Sequence, residues 1–157
     1  MKKFLTIIGV CLLFVTLSLS GCEILEEKEN YITVNVSPTI SIALYESQGK
    51  EISVWDKVAI GVPVHIEIIK DGGERLTFDE VTNAYGWVNV VGSFNLYKEQ
   101  RIEVTAETRG GFEDFYEYKS GFAMLLWDTV DATADFGGTY AWHPTVPIEM
   151  RNTNSTY

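Results

Sequence analysis

Val64-His65-Ile66-Glu67-Ile68-Ile69-Lys70-Asp71-Gly72-Gly73 is the stretch that decides the fold class of this chain. Val64, Ile66 and Ile68 alternate with His65 and Glu67, a period of two that places apolar side chains on one face of a strand and polar ones on the other. Asp71-Gly72 then supplies a hairpin turn, because glycine takes the positive dihedral angles such turns require. The alternation recurs on either side: Ile32, Val34 and Val36 with Tyr31, Thr33 and Asn35, and Ile102, Val104 and Ala106 with Glu103 and Thr105. Ser37-Pro38, Gln48-Gly49, Gly92-Ser93 and Gly110-Gly111 punctuate the intervals, at roughly the 8 to 12 residue spacing of a sandwich. No stretch of the first 110 mature positions reads as an amphipathic helix. The expected class is therefore all-β, an antiparallel β-sandwich in which a second sheet covers the apolar face of the first.

The N terminus has a different grammar. Lys2 and Lys3 precede an apolar run over 4–19, and Leu19-Ser20-Gly21-Cys22 closes it with a small pair before a cysteine. This resembles the lipobox of bacterial lipoprotein signal peptides, which implies cleavage before Cys22, lipid on its thiol and an extracytoplasmic protein anchored to a membrane. The alternative is an uncleaved transmembrane anchor. Residues 1–21 form the leader, and 22–30 the lipidated cysteine with a charged tether. A single domain is expected over 31–151, with a disordered tail at 152–157.

Without the leader, 10 basic residues face 22 acidic ones, and 10 − 22 gives −12 over 136 residues. Such a surface repels nucleic acid and anionic headgroups alike, so no nucleic-acid partner is expected and contact with the membrane falls to the lipid. Cys11 leaves with the leader and Cys22 is taken up by lipid, so no disulfide or thiolate metal site is expected.

Gly61-Val62-Pro63-Val64 leads into the decisive strand, Thr82-Asn83-Ala84-Tyr85-Gly86 turns into Trp87-Val88-Asn89-Val90, and a strand over 101–106 closes the segment. Pro63 suits a strand start, Asn83 caps its own turn through its side chain, and Gly86 lets the chain reverse. This order resembles bacterial immunoglobulin-like and carboxypeptidase-regulatory-like (prealbumin-type) domains. The resemblance covers about a third of the mature chain. It implies a stalk, spacer, adhesion or accessory module and brings no catalytic residues.

The segment 112–144 departs from that pattern and is the expected place for binding. Tyr116 and Tyr118 interleave with acids; the apolar run 122–127 reads as a central strand buried on both faces, or else as a short helix. Asp128, Asp131 and Asp135 offer hard oxygen ligands for calcium, although no Asp-x-Asp-x-Asp-Gly loop accompanies them. Trp142, after Gly137-Gly138, is expected to face outward and His143 to lie in a loop, both as binding candidates, whereas Trp55 and Trp87 are expected in the core. Pro147 assigns the final strand, 146–150, to a sheet edge. His65 and His143 lack zinc-ligand spacing, and no nucleophile elbow is present. Two functions follow: a non-catalytic envelope module that binds a protein or a glycan, or a small carboxylate-dependent hydrolase with or without a divalent cation.

Overall fold

From Ile32 to Leu44 every even-numbered side chain is buried, Pro38 included, in the computed structural model, which describes residues 30–153. Two strands carry that alternation, β1 (Tyr31–Val36) and β2 (Thr39–Tyr45), separated only by Ser37-Pro38. After them come β3 (Pro63–Lys70), β4 (Arg75–Val81), β5 (Trp87–Asn89), β6 (Gly92–Tyr97), β7 (Arg101–Thr108), β8 (Phe115–Lys119) and β9 (Gly121–Leu126). One helical turn, α1 (Trp127–Asp131), precedes β10 (Thr139–Trp142) and β11 (Thr145–Asn152). The fold is all-β. Cys22 and residues 154–157 lie outside the described residues.

The strands form three open sheets, ordered β10-β1-β6, β5-β2-β11-β8 and β4-β3-β7-β9. The first two share one register. Val36 faces Trp142 in the first sheet, and three residues further along both chains Thr39 faces Thr145 in the second. On the other flank Val36 faces Gly92, and Thr39 faces Asn89 three residues back. Backbone bonds bridge the gap, since Ser37 N–H donates to Trp142 C=O and Thr39 N–H to Pro144 C=O. Pro38 and Pro144 therefore stand side by side where both chains pass from one sheet to the other, and a single three-strand ladder bends there into two sheets. Proline bends a strand because it removes an N–H donor and fixes φ, and such corners are how a strand contributes to two layers.

The pairings are antiparallel as expected except for β1–β10 and β2–β11, which are parallel. First and last strands run in the same direction, so no hairpin could join them. The third sheet is antiparallel throughout and packs through β7 and β9 against β11. Its β3–β4 hairpin turns at Asp71-Gly72-Gly73 as expected, with both glycines at positive φ. Between the layers lie Ile66, Ile68, Phe94, Phe115, Ile148 and Met150, each under 2 % exposed or at 2 %.

Four further expectations change. The apolar run 122–127 is not doubly buried: β9 is the edge of its sheet, and Phe122, Met124 and Leu126 point to solvent while Leu125 points inward. Trp127, itself buried, opens α1 instead of continuing the strand. Pro147 sits in an interior strand, yet the neighbouring β8 pairs with β11 only from Glu149 onward, so Pro147 faces a partner on the β2 side alone. Gly92-Ser93 begins β6 rather than separating strands, the break falling at Val90-Val91. Asn152, assigned from sequence to the tail, ends β11 opposite Phe115.

Candidate functional site

Asn83 organises the turn that begins the exposed rim of the molecule. Its Oδ1 accepts from the N–H groups of Tyr85 and Trp87 at 2.8 and 3.2 Å, and Gly86 follows at φ +73°. Trp87 then opens β5, with Val88 turned inward and Trp87 outward. Tyr85 and Trp87 are both exposed, their ring centroids 5.7 Å apart.

A second loop lies against this turn. Gly61 N–H donates to Thr82 C=O and Thr82 N–H to Val62 C=O. The buried Thr82 hydroxyl closes the junction, donating to Ala59 C=O at 2.6 Å and accepting from Val62 N–H at 2.9 Å. Further along the same loop, Ser53 accepts from the N–H groups of Trp55, Asp56 and Lys57. Lys57 ties the loop to another element, pairing with Glu113 and lying over the rings of Phe112 and Phe115 at 5.8 and 5.2 Å. Two residues before Lys57, Trp55 is 93 % exposed, and Val54 and Ile60 of the same loop are open as well. An indole held in water by an ordered turn gives up little conformational entropy when a partner covers it. Thr82→Val keeps the shape of Thr82 but removes both side-chain bonds. It is expected to lower stability by about 2 kcal/mol, measured by urea denaturation, and to raise amide exchange over 58–62.

This corrects the tryptophan assignments. Trp55 and Trp87, expected in the core, are exposed; Trp142, expected outward, is half-buried and packs with Tyr140 against the core. The alternation of Trp87 with Val88 and Val90 carried the signal for Trp87. Trp55 lies outside any alternating run, between turn residues, which is itself the mark of a loop.

The other expected site residues do not converge. Tyr116 and Tyr118 are exposed on β8, opposite the far end of β11. Trp142 and the exposed loop residue His143 precede the near end of that strand, with Tyr118 opposite Met150, so roughly 25 Å of strand separates the two groups. Asp128 and Asp131 lie on α1 and Asp135 on the loop after it, all exposed. Among the described residues no three acids, histidines or cysteines gather as a cation would require.

On the outer face of the third sheet a hollow of about 260 Å³ is lined by His65, Glu67, Glu107, Arg109 and Ser120, among others. Nδ1 of His65 lies 2.6 Å from Asp79 Oδ1, and its Nε2 3.7 Å from Glu67. Both glutamates already face arginines, Glu67 at 3.5 Å from Arg75 and Glu107 at 3.1 Å from Arg109. At the end of β2 the Tyr45 phenol is held above its ordinary pKa, first by burial and then by Glu51 and Glu149, with Arg151 opposing.

No protein-family model matches the chain, and comparison with curated proteins returns no relative.

Proposed function

We propose that this chain is a lipid-anchored, extracytoplasmic module of the cell envelope that binds a protein or glycan without catalysing a reaction. The observation that carries the proposal is an exposed aromatic rim, Trp55 on the 53–62 loop and Tyr85 and Trp87 on the segment which that loop meets at Thr82 and Gly86. Large aromatic side chains in water cost solubility and are the commonest anchors of protein interfaces and sugar stacking platforms. The rim lies toward the end of the β1–β2 ladder away from Tyr31, since Gly86 C=O accepts from Ile42 N–H and Ile52 N–H donates to Leu44 C=O.

Leu19-Ser20-Gly21-Cys22 supports the anchor, and the acidic composition supports attachment by lipid rather than by headgroup charge. The three-sheet, all-β arrangement and the Asn83 turn support the immunoglobulin-like or prealbumin-like reading of the fold. The alternative, a carboxylate-dependent hydrolase, would use the His65 hollow, where Glu67 and Glu107 are each engaged by an arginine.

One experiment with two arms tests the proposal. Cys22→Ala should abolish incorporation of labelled fatty acid and release the protein from the detergent phase; persistent labelling would defeat the anchor. Envelope proteins and a glycan array are then probed with the full chain in detergent. Trp55→Ala should weaken capture of the recovered ligand by about 2 kcal/mol while leaving the Tm within a degree or so. Unchanged capture would remove the rim from the binding surface.

A further inference from the structure

We infer that the outer edge of β9 is a self-association surface, where a second copy of this chain pairs antiparallel to the first and extends the β4-β3-β7-β9 sheet across a two-fold axis. An edge strand presents unpaired N–H and C=O groups, and folded proteins ordinarily guard such edges with charge, proline, a bulge or brevity. The other edges here are guarded. β4 carries Arg75, Asp79 and Glu80, β8 carries Glu117 and Lys119, β5 and β10 are three and four residues long, and β6 turns Ser93 and Asn95 outward. β9, Gly-Phe-Ala-Met-Leu-Leu over 121–126, has no charge and no proline, and it pairs with β7 in unbroken register. Its outward side chains are Phe122, Met124 and Leu126, exposed by 70 %, 45 % and 48 %.

The spacing of those three residues favours a second copy over an unrelated strand. With Met124 on the axis, antiparallel pairing sets Phe122 opposite Leu126 of the second copy and Met124 opposite its own equivalent. Every outward cross-strand pair is then apolar, and one surface patch complements itself as a two-fold contact demands.

Charge does not oppose the contact, although the chain as a whole carries −10. On this face Arg75 meets Glu67, Arg101 meets Asp71 and Arg109 meets Glu107, while Asp79 lies on β4 at the opposite edge of the sheet. Glu103, the acid directly beside Met124 on β7, would stand three strand spacings from its equivalent in the second copy, about 14 Å. That exceeds the screening length of about 8 Å at physiological salt.

The test uses the full chain in detergent at about 100 μM, well above a micromolar Kd. Sedimentation should give a dimer, and Met124→Lys, which places a charge on the axis, should give a monomer with an unchanged far-ultraviolet spectrum. Because a variant can also lose its fold, Met124→Cys provides an independent reading. Directly opposed residues of an antiparallel pair have Cα atoms within disulfide reach, so mild oxidation should cross-link Met124→Cys far beyond both the parent and Thr77→Cys on the opposite edge of the sheet. A monomeric parent, a dimer indifferent to Met124→Lys, cross-linking equal to Thr77→Cys, or cross-linking of Met124→Cys to a different protein would each overturn the inference.

Discussion

Gly121→Val is expected to lower the stability of the domain by about 3 kcal/mol or more. Ser120-Gly121 is where the chain leaves β8 in one sheet and enters β9 in another, and the crossing brings Gly121 onto the backbone of β11. A Cβ at this position would overlap the Pro147 carbonyl oxygen and come within 2.9 Å of Val146 Cγ1. Pro147 cannot yield easily, because β11 is fixed to β2 on its other side. Overpacking typically costs 1 to 3 kcal/mol when side chains can shift, and here the obstacle is main chain. The midpoint of thermal unfolding should fall by about 10 °C, at roughly 4 °C per kcal/mol for a domain of this size. Gly110→Ala, where nothing lies within 4 Å of the added methyl, is the control and should leave the midpoint nearly unchanged. Equal behaviour of the two variants would show that the crossing has room the structure does not give it.

Phe115→Ala should cost about 3 to 5 kcal/mol, the usual range for deleting a buried aromatic ring. Phe115 is 2 % exposed, stacks against Phe112 with centroids 6.3 Å apart, and carries the Lys57 ammonium over its face. The loss should therefore extend beyond the cavity. With Phe115 gone, one of the two fastenings of the Trp55 loop weakens, and Trp55→Ala should then change ligand capture less than it does in the parent. Guanidinium titration should show a lower midpoint at an unchanged slope. A loss below about 1.5 kcal/mol would mean that the site collapses around the missing ring, the outcome that makes such costs vary from place to place.

What the sequence disclosed follows from the range of each signal. The β3–β4 hairpin was legible because a period of two and an Asp-Gly turn are both local properties, and Asn83 and Gly86 were legible for the same reason. Alternation tells which face a side chain takes and nothing about which strand lies beside it. Hence the parallel neighbours of β1 and β2, more than a hundred residues away, could not be read from Ile32, Val34 and Val36. The run 122–127 misleads on the same account. Continuous apolarity reads as burial on both faces, and the chain leaves Phe122, Met124 and Leu126 open. Pro147 was half legible, since its missing N–H does face an unpaired side, but only because β8 stops short of it. Trp87 is placed outward by its own alternation with Val88 and Val90, a local signal that the assignment of the tryptophans to the core does not use. Tyr116, Tyr118, Asp128, Asp131, Asp135, Trp142 and His143 were grouped by closeness in sequence, and β8, α1 and β10 distribute them to different parts of the fold.

The ladder that joins β1–β2 to β10–β11 also governs when this protein can fold. Its first strands obtain one of their two neighbours only from residues 139–152, more than a hundred positions further along the chain. Loop closure over that separation must be met before the pairing returns any free energy, which makes such topologies slow to fold. A nascent chain therefore cannot complete its first two sheets until residues 139–152 are made. That interval is the one in which the proposed export would need it, because a thread can cross a membrane that a finished sandwich cannot.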